Sequence, residues 1–261
     1  MMGEFRNKVC VVTGGSNGIG KHIALQLAKR NAIIQVIDIS INEETLRDLK
    51  SFNPKNNIHK CSVTSLNDLQ MIKNKILSDF DHVDYLVNNA GIVKVSKFED
   101  QTEEDWKNIF SVNIFGVMNC TQVFGKEMIK NKKGKIVNIA STDAMVGRYA
   151  HDTELGVDLV VAYSASKGAV ISFTKSLAVE WAKYGINVNA VSPILVQTPM
   201  TKHLFEDKEK KDRYSKELPL GVNPAMEDIG KAVVLLLSEL SDKITGQILK
   251  VDCGYMARGE L

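Results

Sequence analysis

Residues 162–170 read AYSASKGAV. Tyr163 and Lys167 stand four apart at the head of a segment with helical spacing, and side chains at i and i+4 share one helix face. An ammonium beside a phenol favours the phenolate, so the pair is a candidate base. To work near neutral pH the phenol must fall from about 10 by roughly 2–3 units, a differential interaction of about 3–4 kcal/mol. With 6 Tyr and 33 Lys plus Arg in the chain, a pair at this spacing also arises readily by chance. Its weight depends on what else converges on it.

A second chemical signal lies at the other end of the chain. Residues 13–20 read TGGSNGIG and follow the apolar run VCVVT. Glycines at 14, 18 and 20 let a backbone turn tightly and approach a pyrophosphate held at a helix N-terminus. Their spacing, G-x3-G-x-G, differs from the G-x-G-x-x-G dinucleotide fingerprint, and such a loop alone is also compatible with a plain tight turn. Asp38 ends the next apolar run, 18 residues beyond Gly20, about where a carboxylate accepts hydrogen bonds from ribose hydroxyls. A carboxylate there repels a 2′-phosphate, and the two positions at which a basic residue would welcome one hold Asn17 and Ile39. NAD(H) is expected over NADP(H).

These residues need a scaffold that brings chain segments 150 residues apart into one crevice. Short Val- and Ile-rich runs recur at 9–13, 33–38, 57–63, 84–89, 135–140, 186–192 and 247–252 and read as strands buried on both faces. Between them, helical spacing covers 19–30, 43–51, 66–79, 103–130, 164–183 and 226–239. Alternating strands and helices predict an α/β fold, a doubly wound parallel sheet with helices on both faces. No linker or low-complexity stretch divides the chain, so one domain over 1–261 is expected. Ligands of such sheets sit beyond the carboxyl ends of the strands, which is where both signals fall.

Composition narrows the function classes. A net charge of +2 with interspersed signs leaves no footprint for nucleic acid or an anionic membrane. The run EDKEKKDR at 206–213 mixes both signs and reads as a solvated helix face. Cys10, Cys61, Cys120 and Cys253 are far apart, without CxxC or metal-ligand spacing, and read as free thiols of a reducing, cytoplasmic protein with no metal. The apolar run AVVLLL at 232–237 is too short to span a bilayer, and residues 1–9 hold no signal-peptide core.

TGGSNGIG, NNAG (88–91), the Asn of SVNIFG (Asn113), Ser141 after KIVNIA, YSASK (163–167) and SPILVQTPM (192–200) occur in the order seen in the short-chain dehydrogenase/reductase family. The chain resembles that family from residue 7 to about 256. The resemblance implies a Rossmann-like sheet of about seven strands, a nicotinamide cofactor and a Ser–Tyr–Lys–Asn catalytic group. By this resemblance Tyr163 is the acid/base and Lys167 also holds the nicotinamide ribose. Ser141 hydrogen-bonds the substrate oxygen, and Asn113 anchors a water that links Lys167 to solvent. It also implies cofactor contacts from Gly14, Ser16, Asn17, Gly18, Ile19 and Gly20, from Asp38, Ser62 and Val63, and from Pro193, Val196 and Thr198. Asn88, Ala90 and Gly91 are expected on the adenosine side. For Asn89 a structural strand-end role stands beside a cofactor contact, and Thr198 reads equally as the cap of the next helix. Assembly as a homo-oligomer, a tetramer by the resemblance, and a lid over 199–220 are also expected.

Departures from the family pattern carry information. Ser62 stands where relatives have Asp, Ile194 where they have Gly, and Cys253 where they have Gly. Tyr163 follows Ser141 by 22 residues, farther than is usual, so an extended loop at 142–161 must lie beside the cleft. Its polar residues, Arg148 and His151 among them, are candidate substrate contacts, with a solvated loop or subunit contact as the equal alternative. The leading expectation is an NAD-dependent dehydrogenase that interconverts a secondary alcohol and a ketone by hydride transfer, acting on a sugar, polyol or small hydroxy acid. The alternatives are a carbonyl or 3-oxoacyl reductase and, from another class, a non-catalytic NAD(H)-sensing regulatory protein. The last has no need of Ser141, Tyr163, Lys167 and Asn113 together.

Overall fold

The apolar runs form β1 (Val9–Thr13), β2 (Ile33–Asp38), β3 (Asn57–Lys60), β4 (Tyr85–Asn88), β5 (Gly134–Ile139), β6 (Ile186–Pro193) and β7 (Ile248–Val251) in a computed structural model. It describes residues 4–147, 160–206 and 208–258. All seven pair in parallel, in the order β3-β2-β1-β4-β5-β6-β7. The order reverses between β1 and β4, and that reversal opens the crevice in which doubly wound sheets bind ligands. The helices are α1 (Gly18–Ala28), α2 (Glu43–Phe52), α3 (Leu66–Phe80), α4 (Glu103–Phe110), α5 (Val117–Asn131), α6 (Val161–Trp181), α7 (Lys208–Lys216) and α8 (Met226–Leu237).

Strand side chains alternate between two cores. Cys10 and Val12 join Ile23 and Leu27 of α1 and Val233 and Leu237 of α8 on one face. Val9 and Val11 join Leu69 and Ile76 of α3, Phe124 of α5 and Trp181 of α6 on the other. Each such side chain, fully buried, stabilises the fold by about 1.5–3 kcal/mol. On α6 Val170, Phe173, Leu177 and Trp181 fall on one stripe that packs inward, with Phe173 only partly covered.

Three boundaries differ from the sequence reading. The 103–130 helix is broken by a π-helical segment, Ser111–Gly116, between α4 and α5. There the side chain of Asn113 turns to the loop after β4: its Oδ1 accepts the Ile92 N–H at 2.9 Å and its Nδ2 donates to the Ile92 carbonyl at 3.0 Å. The third strand stops at Lys60, and 61–63 already form the crevice wall. Helix α6 begins at Val161 rather than 164, so Tyr163 lies inside its first turn. Of the charged run, Lys208, Glu209, Lys211 and Asp212 lie exposed on α7, as residues of a solvated helix face should.

Among the described residues, no helix is long and apolar enough to cross a membrane, and no group of three or more His, Cys, Asp or Glu is placed to hold a metal. The four cysteines are free, with Cys10, Cys61 and Cys120 buried.

Candidate active site

The end of β1 is fixed from across the crevice. Thr13 Oγ1 accepts the N–H groups of Asn89 and Ala90 at 3.0 and 3.1 Å, and Asn89 Nδ2 donates to the carbonyls of Thr13 and Gly14 at 3.0 and 2.9 Å. Gly14 adopts φ +63°, and a Cβ there would stand 2.9 Å from the Ala90 Cα. A Cβ on Gly20 would stand 2.1 Å from the Gly14 carbonyl oxygen, so α1 can pack this close to the loop only with glycine at that position. The result is a floor of bare backbone at the N-terminus of α1, where the helix dipole and free N–H groups favour an anion.

At the end of β2, Asp38 Oδ2 accepts the Ser16 N–H at 3.0 Å and Oδ1 accepts the Ser40 N–H at 3.1 Å. Ser16 is fully buried, and its hydroxyl donates to the Ser40 carbonyl at 2.7 Å. The glycine loop and the carboxylate are therefore held as one unit. Asn17 Oδ1 accepts from Asn42 Nδ2 at 2.8 Å, which ties the loop to the residue that caps α2.

The second half of the site is built by β5 and α6. Ser141 follows β5, and its Oγ donates to Asp143 Oδ2 and accepts the Asp143 N–H, both at 3.2 Å. Lys167 lies one helical turn after Tyr163, its Nζ 5.6 Å from the Tyr163 ring centroid and donating to the Ile139 carbonyl at 2.7 Å. Burial lowers the Lys167 pKa from 10.5 to about 8. Asn113 completes the group from behind. Its Nδ2 donates to Ser166 Oγ at 2.9 Å, Ser166 Oγ donates to the Tyr163 carbonyl at 2.7 Å, and a Cβ on Gly91 would lie 3.3 Å from Asn113 Oδ1 and 3.5 Å from Lys167 Nζ.

One cavity of about 510 Å³ joins these parts. Gly14, Asn17, Gly18 and Ile19 line it with Asp38, Ser62 and Val63 at one end. Asn89, Ala90 and Gly91 form the middle, and Ser141, Tyr163, Lys167, Pro193, Val196 and Thr198 the other end. The residues suit a dinucleotide: a backbone floor for the pyrophosphate, a carboxylate at the ribose position and an ammonium beside a phenol at the reactive end. Ser16, Gly20 and Asn113 stand behind this lining and act on the site through Asp38, Gly14 and Ile92 respectively.

Some sequence-based roles change. Asn88, expected on the adenosine side, is buried within the sheet, where its Nδ2 donates to Asn138 Oδ1 at 2.8 Å and to Thr121 Oγ1 at 3.1 Å. Strand alternation turns it away from the crevice. Thr198 does not cap the next helix. Its N–H donates to Thr201 Oγ1 at 3.0 Å, which closes a turn at the cavity edge. Arg148 and His151, with most of the 142–161 extension, lie outside the described residues. Among the residues of the site not singled out from sequence, two bond through their side chains to Asn113 and Ser141. One is Ser166, which holds Asn113. The other is Asp143, a lining residue whose only sequence signal is its place two positions after Ser141.

Residues 14–256 match the family model described as Enoyl-(Acyl carrier protein) reductase. The 2-dehydro-3-deoxy-D-gluconate 5-dehydrogenase of Bacillus subtilis is 36% identical over 257 residues, 98% of this chain and 97% of that protein. The NAD-dependent glycerol dehydrogenase of Listeria innocua is 34% identical over 251 residues, covering 95% and 94% of the two chains. Among solved structures, a gluconate 5-dehydrogenase from Burkholderia cenocepacia J2315 in complex with NADP and tartrate superposes with a TM-score of 0.88 at 28% identity over 99% of this chain and 99% of that one. The chain belongs to the short-chain dehydrogenase/reductase family. It is an NAD(P)-dependent enzyme of alcohol–ketone oxidoreduction.

Proposed function

We propose that the protein is an NAD(H)-preferring dehydrogenase of a secondary alcohol, with a sugar, polyol or small hydroxy acid as substrate. The observation that carries this reading is the single cavity with Asp38 at one end and Ser141, Tyr163 and Lys167 at the other. When bound, the nicotinamide supplies the hydride chemistry at the substrate carbon. Tyr163 takes the hydroxyl proton, and its place in the first turn of α6 and beside Lys167 favours the phenolate. Lys167 has one N–H on Ile139, and its other two are available to the ribose hydroxyls. Ser141 turns its proton to the substrate oxygen as charge develops there. The Asn113 side chain is engaged by Ile92 and Ser166, so it fixes the wide turn behind Lys167.

Preference for NAD(H) follows from charge. Lys167 is the one cation among the described lining residues, and it stands at the opposite end from Asp38. A 2′-phosphate beside Asp38 would meet a carboxylate and no countercharge. The relatives supply context for both parts: one is named for NAD and glycerol, and a neighbour carries NADP. The chain works as one domain in this reading, with 199–220 as the lid, since Met200, Thr201 and Leu204 line the cavity. A cytoplasmic homo-oligomer, a tetramer by family analogy, completes it. The deciding experiment is a screen of secondary alcohols and ketones with each cofactor, following the absorbance of the reduced nicotinamide. Turnover of alcohols with NAD+ well above NADP+ is expected. Activity confined to ketones with NADPH would overturn the proposal.

A further inference from the structure

Asn17 occupies the N-cap position of α1, yet its side chain makes no hydrogen bond to that helix. Asparagine is among the strongest N-cap residues, and its usual part there is to accept an N–H of the first turn. Here the side chain turns instead to α2, where its Oδ1 accepts from Asn42 Nδ2 at 2.8 Å. We infer that Asn42 is a positioning residue for the cofactor: by holding Asn17 away from its own helix, it keeps the first-turn N–H groups of α1 open to the dinucleotide pyrophosphate. This role presupposes a nicotinamide dinucleotide in the cavity and is independent of which alcohol is turned over.

The direction of each bond is fixed from the backbone outward. Asn42 caps α2, and its Oδ1 accepts the Thr45 N–H at 3.1 Å, a group that can only donate. The Asn42 amide is thereby oriented with its NH2 toward Asn17, and Asn17 must answer with its oxygen. That oxygen is the one atom of the Asn17 side chain able to cap α1. The main chain around it is held as well. The Ser16 N–H donates to Asp38 at 3.0 Å, and the Ser16 carbonyl accepts from the hydroxyl of the fully buried Thr45 at 2.9 Å. The Asn17 carbonyl accepts the Lys21 N–H at 3.1 Å. Only rotation of the side chain therefore decides where the Asn17 oxygen goes. The N–H groups at a helix start, with the positive end of the dipole behind them, take either a cap or an anion. Asn17, Gly18 and Ile19 line the cavity, so a cap on α1 would occupy the groups that a pyrophosphate needs. Without the Asn42 donor, Asn17 caps α1 in the ordinary way, which stabilises the free protein and competes with the ligand.

The test is a double-mutant cycle read by NAD+ binding, followed by protein fluorescence, and by thermal melts of the free protein. Asn42→Ser keeps the cap of α2, because serine serves there as well as asparagine, but its hydroxyl ends one atom short of the Nδ2 position. In the wild-type background this substitution should weaken NAD+ binding at least fivefold, while the Tm of the free protein stays level or rises. In the Asn17→Ala background no oxygen is left to compete, so the same substitution should change the Kd by less than twofold. Asn42→Thr, which also caps α2 without reaching Asn17, should repeat both results. A merely structural part for Asn42 gives a different pattern, with a lower Tm and an equal loss of affinity in both backgrounds. That equal loss, or no loss in either background, overturns the role of Asn42 alone, as does a clear fall in the Tm of free Asn42→Ser. Binding of neither NAD+ nor NADP+ by the wild type overturns the cofactor reading and this role with it.

Discussion

Lys167 holds its amine against the Ile139 carbonyl and beside the Tyr163 ring, out of contact with bulk water. Burial has a measurable cost: the fall from 10.5 to about 8 corresponds to about 3 kcal/mol. Below pH 8 the residue is charged in both folded and unfolded chains, and the penalty is full. Between pH 8 and 10.5 the folded chain has released its proton while the unfolded chain has not, so stability rises with pH. Lys167→Met removes the charge, so its stability gain over the wild type should be largest at pH 7 and shrink by pH 10; denaturant melts at the two pH values measure it. A gain independent of pH would show that burial does not strain this amine. For Tyr163→Phe the ring and its packing stay while the proton carrier goes, so kcat should drop by about a thousandfold with NAD+ affinity within a few-fold. Retention of near-normal turnover would remove Tyr163 from the acid/base role. At this scale the sequence was informative because Tyr163, Lys167, Ser141 and Asp38 all end strands or open helices, and their spacing survives in one dimension. Asp143 was not legible, since its part is defined by a contact with Ser141 that no spacing announces.

The π-helical segment between α4 and α5 illustrates the limit of periodicity at the next scale. A reading at 3.6 residues per turn continues smoothly from 103 to 130, because a single wide turn displaces the apolar stripe too little to register. What produces the wide turn is the pull of one side chain on Ile92 and Ser166, far away in sequence. Asn113→Ala deletes three hydrogen bonds and leaves the Ile92 N–H without its acceptor, a loss of about 2–4 kcal/mol. Thermal stability and kcat should both fall, kcat by at least tenfold, since the loop at Gly91 and the start of α6 lose their common anchor. Turnover within twofold of the wild type would confine Asn113 to packing. The strands were easier to anticipate. Parallel strands buried on both faces are nearly continuous in Val and Ile, and six of the seven runs lie within two residues of the observed strands.

For the molecule as a whole, Asp38 and Lys167 sit at opposite ends of one cavity that crosses the switch point of the sheet. A ligand that fills it bridges both halves and binds only the folded chain, so NAD+ at one hundred times its Kd should add about 2.7 kcal/mol of stability. For a chain of 261 residues that corresponds to a rise in Tm of roughly 5–10 °C. NADP+ at the same concentration should give less than half of that shift, and equal shifts would remove the role given to Asp38. The parallel, doubly wound sheet and the position of the crevice beyond the carboxyl ends of its strands followed from alternation. The wall around Val93 did not, and for the 142–161 loop and the 199–220 lid only the placement beside the cleft was legible, because loops that carry no periodic pattern are positioned by the contacts of the finished fold.

The hydrogen bonds that join Thr13 to Asn89 and Ala90 also set a timetable for biosynthesis. The glycine loop and Asp38 leave the ribosome early, yet the loop is pinned only when residues 75–77 positions downstream arrive, and Thr198 follows Gly14 by 184 residues. At roughly 5–20 residues per second, about 10–40 s separate the first element of the cavity from the last. A nascent chain therefore passes this interval with no cofactor to steady it, and the early βαβ units must stand on their own apolar packing until β4, β5 and β6 close the crevice.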